Sequence, residues 1–187
     1  MQIVIAFISI IIFSQVSNAD IGKETGLEIP RYVSLKSNDA NIRVGPSKNY
    51  PIEIKYIKKN YPLKVLEEYE DWRRVEDFQK NFGWIHKSLI TGTRTGIVLS
   101  NDNKTIKLLN TLDGNIIGEI GKGNIVFLKK CKTDWCLVSS GNYRGWIDKK
   151  NIWGVKEKEI IKISFFQKFE DIYWKSLNSL KKTQKRF

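Results

Sequence analysis

Few residues of this chain have the type and spacing that a reaction would need. His86 is the only histidine, and the two cysteines, Cys131 and Cys136, lie in the other half of the chain. A nucleophilic cysteine needs a nearby base, and a zinc site needs more ligands than these. A Ser-His-Asp set could form only around His86, which we interpret as a solvent-facing strand residue. We therefore predict no catalytic residue, no metal site and no cofactor.

Acidic side chains are concentrated between residues 67 and 77, where a carboxylate pair for glycoside hydrolysis could arise. Lysines and arginines flank this stretch, so we interpret it as the solvated faces of two strands, and the protein is predicted not to be an enzyme. The acids are Glu67, Glu68, Glu70, Asp71, Glu76 and Asp77.

The two cysteines, in CKTDWC, are predicted to form a structural disulfide at the tip of a hairpin. Their spacing differs from the C-x-x-C that opens a helix in thioredoxin-like redox sites. The closed loop is short, so the entropic stabilisation is about 2 kcal/mol. The bond between Cys131 and Cys136 would pin the second half of the chain.

The first 19 residues are predicted to be a signal peptide. Residues 3–13 are almost all apolar, too few to span a bilayer, and Ser17-Asn18-Ala19 suits cleavage after Ala19. The alternative is an uncleaved anchor, because no Lys or Arg precedes the apolar run. Export to the periplasm or medium would supply the oxidising compartment that a disulfide requires.

The formal net charge is +12. An exported cationic protein meets anionic polymers and membrane faces, not chromosomal DNA. No specific nucleic-acid partner is therefore predicted.

One pattern occurs twice and predicts the domain organisation. Trp72 precedes Gly83-Trp84, and Trp135 precedes Gly145-Trp146, with the leading tryptophans 63 residues apart and the Gly-Trp pairs 62 apart. Short alternating apolar segments surround both copies, which indicates one small β-module built twice. Trp84, Trp135 and Trp146 are predicted to be structural core aromatics, because a small barrel needs large side chains to fill it.

The remaining segments are assigned by composition. From residue 156 the chain lacks Gly and Pro, and Phe166, Phe169, Tyr173, Leu177 and Leu180 fall at helical spacing, which predicts an amphipathic helix. That helix could pack on a barrel or contact a partner or a membrane surface, and disorder is a third alternative. The predicted segments are a signal peptide (1–19), a leader (20–30), repeat 1 (31–90), a linker (91–96), repeat 2 (97–155) and the basic helical tail (156–187).

The residues of repeat 1 resemble a known family. The matching positions are Asn41, Arg43, Gly45, Pro46, Val65, Trp72, Arg74, Val75, Gly83, Trp84 and Ile85. In this order they resemble the bacterial SH3 domain, and the likeness to two-repeat SH3-like periplasmic proteins of alphaproteobacterial type covers about residues 26–156. The resemblance implies an all-β fold of two tandem SH3-like small barrels, followed here by the C-terminal amphipathic helix.

Repeat 2 departs from the family pattern. Lys107 and Leu109 stand where Asn41 and Arg43 are expected, while Trp135 and the second Gly-Trp pair remain. If the lost polar segment carries ligand contacts, only repeat 1 binds.

The resemblance also implies a function, because members of the family bind peptidoglycan or cell-wall peptides. The candidate groove residues are Asn41, Arg43, Tyr50, Trp72 and Arg74. The two arginines would pair with carboxylates and the two aromatics would stack on an extended peptide. Structural alternatives remain, since Arg43 could brace the Gly-Pro turn and Tyr50 could cap a strand.

The predicted function is therefore that of an exported, non-enzymatic binding protein for peptidoglycan or cell-wall peptides. The alternative is an envelope protein–protein adaptor that uses its C-terminal helix and has no wall ligand. Membrane-surface contact through residues 156–187 belongs to that alternative, and no oligomeric state is predicted.

Overall fold

A computed structural model describes residues 20–100 and 105–162. The predicted signal peptide and residues 163–187 of the predicted helix lie outside the described residues. Within those ranges the chain forms antiparallel strands and two short 3-10 turns. No helix in the described part is long and apolar enough to cross a membrane.

The N-terminal half contains a small hairpin and a seven-stranded sheet. The hairpin joins β1 (Asp20–Ile21) to β2 (Glu28–Ile29). The sheet contains β3 (Arg31–Leu35), β4 (Ala40–Arg43), β5 (Ile52–Tyr56), β6 (Pro62–Tyr69), β7 (Trp72–Glu76), β8 (Phe82–His86) and β9 (Ile90–Thr91). Its strand order is β5-β4-β8-β7-β6-β3-β9. A 3-10 turn, Lys87–Leu89, follows β8.

The C-terminal half repeats this sheet. Its strands are β10 (Thr95–Val98), β11 (Ile106–Leu109), β12 (Ile116–Ile120), β13 (Ile125–Cys131), β14 (Trp135–Ser140), β15 (Tyr143–Asp148) and β16 (Ile152–Trp153). They follow the order β12-β11-β15-β14-β13-β10-β16, with a 3-10 turn, Lys149–Asn151, after β15. Each sheet surrounds its own hydrophobic core, as expected for tandem SH3-like barrels. We call them the first and the second barrel.

Strand registers show that the two barrels are equivalent position by position. Arg43 is paired with Trp84 in the first barrel, and Leu109 is paired with Trp146 in the second. This confirms the alignment in which Leu109 replaces Arg43, with Lys107 two residues before it.

The Gly-Trp pairs have a different role from the one predicted. Within β8, Gly83 and Ile85 are buried while Trp84 between them is half-buried, because side chains alternate across a strand. Trp135 and Trp146 are likewise half-buried, and none of the three tryptophans belongs to a core cluster. The expectation that they fill the cores is therefore wrong. Smaller aliphatic residues such as Ile85 and Ile147, both fully buried, fill the cores instead.

Glycine is required where β4 crosses β8. A Cβ atom on Gly83 would overlap the Ile42 side chain and lie 3.0 Å from the Arg43 carbonyl oxygen. In the second barrel, a Cβ on Gly145 would lie 3.0 Å from Leu108 Cβ and 3.1 Å from the Leu109 carbonyl oxygen. The glycine of each pair thus permits the close strand approach that helps to close the sheet.

The predicted leader is a structured hairpin anchored on one buried carboxylate. Glu68 accepts hydrogen bonds from the backbone N–H groups of Glu24 (2.9 Å) and Thr25 (3.0 Å), and from the Thr25 hydroxyl (2.7 Å). It also contacts Arg31 at 2.6 Å and Arg73 at 3.4 Å. Burial alone would raise the pKa of Glu68, but the hydrogen bonds outweigh it and lower the pKa to about 2.

The predicted disulfide is present and occupies the equivalent place in the second barrel. Cys131 and Cys136 are bonded with an S–S distance of 2.02 Å, and they are opposite each other across β13 and β14. Glu68 and Arg73 are opposite each other across β6 and β7. A covalent bond thus replaces a buried ion pair at the same position of the repeat.

The residues that follow the second barrel form a non-helical strap with one turn, closed by a hydrogen bond from Glu159 N–H to the Lys156 carbonyl, and we define the strap as residues 154–161. Cys131 and Ile161 exchange backbone hydrogen bonds of 2.9 and 3.1 Å. The buried Lys149 ammonium donates to the carbonyl oxygens of Glu157 (2.9 Å) and Glu159 (3.0 Å). The prediction of a helix beginning at residue 156 is therefore wrong for this stretch, because these contacts hold the backbone along the barrel.

The barrels contact each other through the segment predicted as a linker. Thr91 ends β9, and Thr95 already belongs to β10. The buried Thr95 hydroxyl lies 2.6 Å from the Ser34 hydroxyl and donates to the Asn60 carbonyl oxygen at 2.7 Å. The stretch 91–96 is thus partly strand and packed against the first barrel, and it is not a free linker.

Candidate functional site

Four of the five predicted groove residues lie on one outward face of the first barrel. Alternation along β4, β7 and β8 brings Asn41, Arg43, Trp72 and Arg74 to the side opposite the core. Arg43 is paired with Trp84, and Trp84 is paired with Arg74, so these three form one row across the sheet. Trp72 is paired with His86 in the next row. We call this the outer face.

A depression of about 270 Å³ lies at one end of the outer face. It contains three of the predicted residues, and it is lined by Asn41, Arg43, Lys48, Trp72, His86, Ser88 and Leu89. We call it the Asn41 depression. The side-chain oxygen of Asn41 is buried there and has no donor among the described residues.

Trp72 forms part of the wall of this depression without being free to stack on both faces. Its side chain is only 8% exposed. Its ring meets the His86 imidazole edge-on, with centroids 5.4 Å apart. Trp72 therefore offers a ligand an edge of apolar surface, and its larger contribution is to the packing of β7 and β8.

Arg43 and Tyr50 stabilise the loop between β4 and β5. The Arg43 guanidinium donates to the Tyr50 carbonyl oxygen at 2.6 Å. The Tyr50 ring packs against Gly45 so closely that a Cβ atom there would lie 2.7 Å from the ring. Arg43 thus braces the Gly-Pro turn, as the structural alternative proposed, and also lines the depression. Tyr50 does not line it, which corrects its assignment to the groove.

Arg74 lies apart from the Asn41 depression. It lines a second depression, of about 440 Å³, together with Phe82 and Trp84. Its guanidinium stands 3.5 Å from a Glu67 carboxylate oxygen and 5.9 Å from the centre of the Phe82 ring. The single groove expected from sequence is therefore two depressions on one face, joined by the row Arg43–Trp84–Arg74.

His86 is half-buried and caps the 3-10 turn that follows β8. Its Nδ1 accepts from the Ser88 backbone N–H at 3.3 Å and lies 2.8 Å from the Ser88 hydroxyl. Its Nε2 lies 3.7 Å from Asp71, beyond hydrogen-bond reach. A hydrogen bond from Lys87 holds Asp71 and lowers its pKa. His86 therefore stabilises the turn from the outward face of β8, a capping role added to its interpretation as a solvent-facing strand residue.

Sequence reasoning missed Lys48, His86, Ser88 and Leu89 as lining residues. Lys48 comes from the loop between β4 and β5, whereas the other three come from the end of β8 and the turn that follows it. The family residues on β4 and β8 are recognisable as motifs in the sequence. The loop between β4 and β5, which supplies Lys48, has no periodic apolar pattern that would predict its position.

The second barrel does not repeat the two arginines of this face, and its cations there are lysines, with Lys132 Nζ 5.7 Å from the centre of the Trp146 ring. The row Arg43–Trp84–Arg74 is replaced by Leu109–Trp146–Leu137 in the same register. The row Leu109–Trp146–Leu137 contains no charged residue, so the two barrels offer chemically different surfaces.

Among residues 20–100 and 105–162, no group of three or more His, Cys, Asp or Glu side chains could hold a metal ion. The outer face offers cations, amides and aromatic surface.

Comparisons with known proteins gave one family match and several similar solved structures. No curated protein sequence matches the chain. Similar solved structures include NlpC2 from Trichomonas vaginalis, at 12% identity over 71% of this chain and 51% of that one, with a TM-score of 0.30. NlpC1 from the same organism shows 14% identity over 76% of this chain and 51% of that one, again with a TM-score of 0.30.

An NlpC/P60 family protein from Bacillus cereus shows 10% identity, with 70% of this chain and 58% of that one covered and a TM-score of 0.30. The chain thus spans between half and three fifths of the length of these structures. The family model of the bacterial SH3 domain matches residues 36–92 and 111–154. These matches cover more than half of the chain, which therefore belongs to the bacterial SH3 domain family.

Proposed function

We propose that this chain is an exported, non-enzymatic binding protein whose first barrel engages peptidoglycan or cell-wall peptides. The observation that carries the proposal is the convergence of Asn41, Trp72 and His86 with two cations, Arg43 and Lys48, in one depression. Its supporting context is membership of the bacterial SH3 domain family.

The depression suits an extended peptide that bears a carboxylate. Asn41 lines it with a buried side-chain oxygen that has no donor among the described residues, and a peptide N–H that entered the depression could satisfy it. Lys48 and Arg43 supply positive charge for the carboxylate. Trp72 and Leu89 add the apolar surface that most ligand sites contain.

The first test is sedimentation of residues 20–187 with purified peptidoglycan sacculi at low and high salt. The test variant is Asn41→Ala combined with Lys48→Ala, which leaves the brace of Arg43 and the packing of Trp72 intact. The matched control is Lys107→Ala, because Lys107 occupies the position of Asn41 in the second barrel and its loss removes the same charge.

We expect pelleting that persists at high salt and falls about ten-fold in the double variant, because one desolvated polar contact is worth about 1–3 kcal/mol. The control should pellet like the unmodified protein. Pelleting that disappears with salt in all three proteins would contradict the proposal, since it would reflect only screened attraction to an anionic polymer. Absence of pelleting would favour the adaptor alternative.

The strap defines where a truncation can test that alternative. Deletion from residue 156 would remove Glu159 and Ile161, which contact Arg94 and Cys131 of the second barrel. Deletion of residues 163–187 spares these contacts. If the first barrel is the wall-binding element, this shorter deletion leaves pelleting unchanged.

A further inference from the structure

A further cavity, separate from the two depressions of the outer face, lies where four parts of the chain meet. The β1–β2 hairpin, the first barrel, the second barrel and the strap together surround a cavity of about 370 Å³. We call it the junction cleft. Its charged lining residues are Glu28, Arg31, Arg94, Lys156, Lys158 and Glu159, and the ring of Tyr32 completes it.

Positive charge exceeds negative charge in the junction cleft, with four cations against two carboxylates. Glu159 is already engaged, since it accepts from Arg94 Nη2 at 3.1 Å and from the Lys156 backbone N–H at 3.0 Å. Glu28 lies 3.5 Å from the Lys156 ammonium and is largely exposed. Lys158 makes no ion pair with the described residues. The cleft thus retains cationic charge that its own carboxylates do not neutralise.

The two arginines of the cleft are equivalent residues of the two repeats. Arg31 begins β3 opposite Val65, and the backbone of Arg94 accepts from Leu128, the equivalent of Val65. Each is paired with one glutamate, Glu68 for Arg31 and Glu159 for Arg94.

These pairings leave both guanidinium groups incompletely satisfied. Glu68 is shared between Arg31 and Arg73. Arg31 Nη1 and Arg94 Nε are buried with no acceptor among the described residues. Buried donors without an acceptor are rare in folded proteins. Each arginine therefore keeps, beside the cleft, one buried N–H donor that no described residue satisfies.

Contacts between the barrels hold the cleft in place. The Tyr32 ring packs edge-on against Trp153, with ring centroids 5.2 Å apart. The Arg94 guanidinium lies 5.7 Å from the centre of the Tyr32 ring. The hydrogen bond between Ser34 and Thr95 lies two residues further along β3. A site whose charged groups are held before binding loses less entropy on ligand capture.

We propose that the junction cleft binds a small oxyanion, a carboxylate or a phosphate group, between Lys156, Lys158 and the two arginines. Guanidinium groups bind planar oxyanions through parallel N–H donors, and ammonium groups add point charge. This site is separate from the outer face, so its existence does not depend on wall binding.

The test uses thermal unfolding of residues 20–187 with added inorganic phosphate or acetate at constant ionic strength, set with sodium chloride. A ligand that binds only the folded state raises the unfolding temperature in proportion to its affinity. The test variant is Lys156→Ala combined with Lys158→Ala. The control is Lys36→Ala combined with Lys107→Ala, which removes the same charge from exposed lysines on each barrel.

We expect phosphate or acetate to stabilise the unmodified protein and the control alike, with affinity about five-fold or more weaker in the test variant. The stronger of the two anions identifies the group that the site prefers. Intrinsic tryptophan fluorescence, to which Trp153 beside the cleft contributes, is titrated with the same anions as a second measurement on the unmodified protein. No stabilisation and no saturable fluorescence change with either anion would overturn the proposal. Equal stabilisation of the test variant would overturn it as well.

Discussion

At the scale of single residues, Glu68 is a buried carboxylate whose pKa is strongly lowered by its hydrogen bonds. Five donors surround its carboxylate, and its pKa falls from the usual 4.5 to about 2. Because the folded pKa lies below the unfolded one, the carboxylate stabilises the fold above pH 4.5 and loses this effect as pH falls toward 2. Acid should therefore release the β1–β2 hairpin early.

We expect Glu68→Gln to lower the free energy of unfolding at pH 7 by about 3 kcal/mol, because it leaves buried arginines unpaired. The difference from the unmodified protein should shrink between pH 4.5 and pH 2. Urea unfolding across this range measures it. Glu67→Gln is the control, because Glu67 is exposed and its pair with Arg74 is 3.5 Å long, so we expect a change below about 1 kcal/mol. Equal effects of the two substitutions would contradict this account.

At the scale of elements, the β4–β8 crossing depends on Gly83. A methyl group at Gly83 would overlap the Ile42 side chain and lie 3.0 Å from the Arg43 carbonyl oxygen, and β4 would have to shift to relieve both contacts. We expect Gly83→Ala to destabilise the protein by about 2 kcal/mol or more. Gly118→Ala in β12 is the control, because nothing lies within 4 Å of the added atom and alanine costs less chain entropy. Denaturant unfolding compares them, and similar stabilities would show that β4 and β8 can separate without loss.

The disulfide acts on a different element, the strap. Cys131 pairs with Ile161 through two backbone hydrogen bonds, so reduction loosens both the β13–β14 hairpin and the strap. We expect reduction to lower the stability by about 2 kcal/mol and to speed amide exchange at Ile161. The Cys131→Ala, Cys136→Ala double variant should show the same loss and no response to reductant. Unchanged exchange at Ile161 on reduction would separate the strap from the disulfide.

At the scale of the whole molecule, the sequence predicted the repeated module and only part of what joins its copies. The tryptophan motif recurs because equivalent strands pair in each barrel, with Trp72 and Trp135 as its first residues and a Gly-Trp pair following each. All of its residues lie within a short stretch of sequence, so the pattern can be recognised without a structure. No sequence pattern predicts the strap and the junction cleft, because Arg94 and Glu159 are 65 residues apart and contact each other only in the folded structure. The outer face was predicted in part, since its strand residues alternate, but its loop residue Lys48 follows no period.

Thr95 tests whether the two barrels behave as one folding unit. Its hydroxyl, fully buried, connects Ser34 and the Asn60 carbonyl of the first barrel to the first strand of the second. Thr95→Val keeps the shape, removes these hydrogen bonds and leaves Ser34 with fewer partners, which costs about 1–3 kcal/mol. Because this contact couples the barrels, we expect the unmodified protein to unfold in one transition and the variant in two, followed by calorimetry. Thr93→Val is the control, since its side chain is exposed. A single transition in both variants, at the same temperature, would mean that Tyr32, Arg94 and Trp153 suffice to couple the barrels.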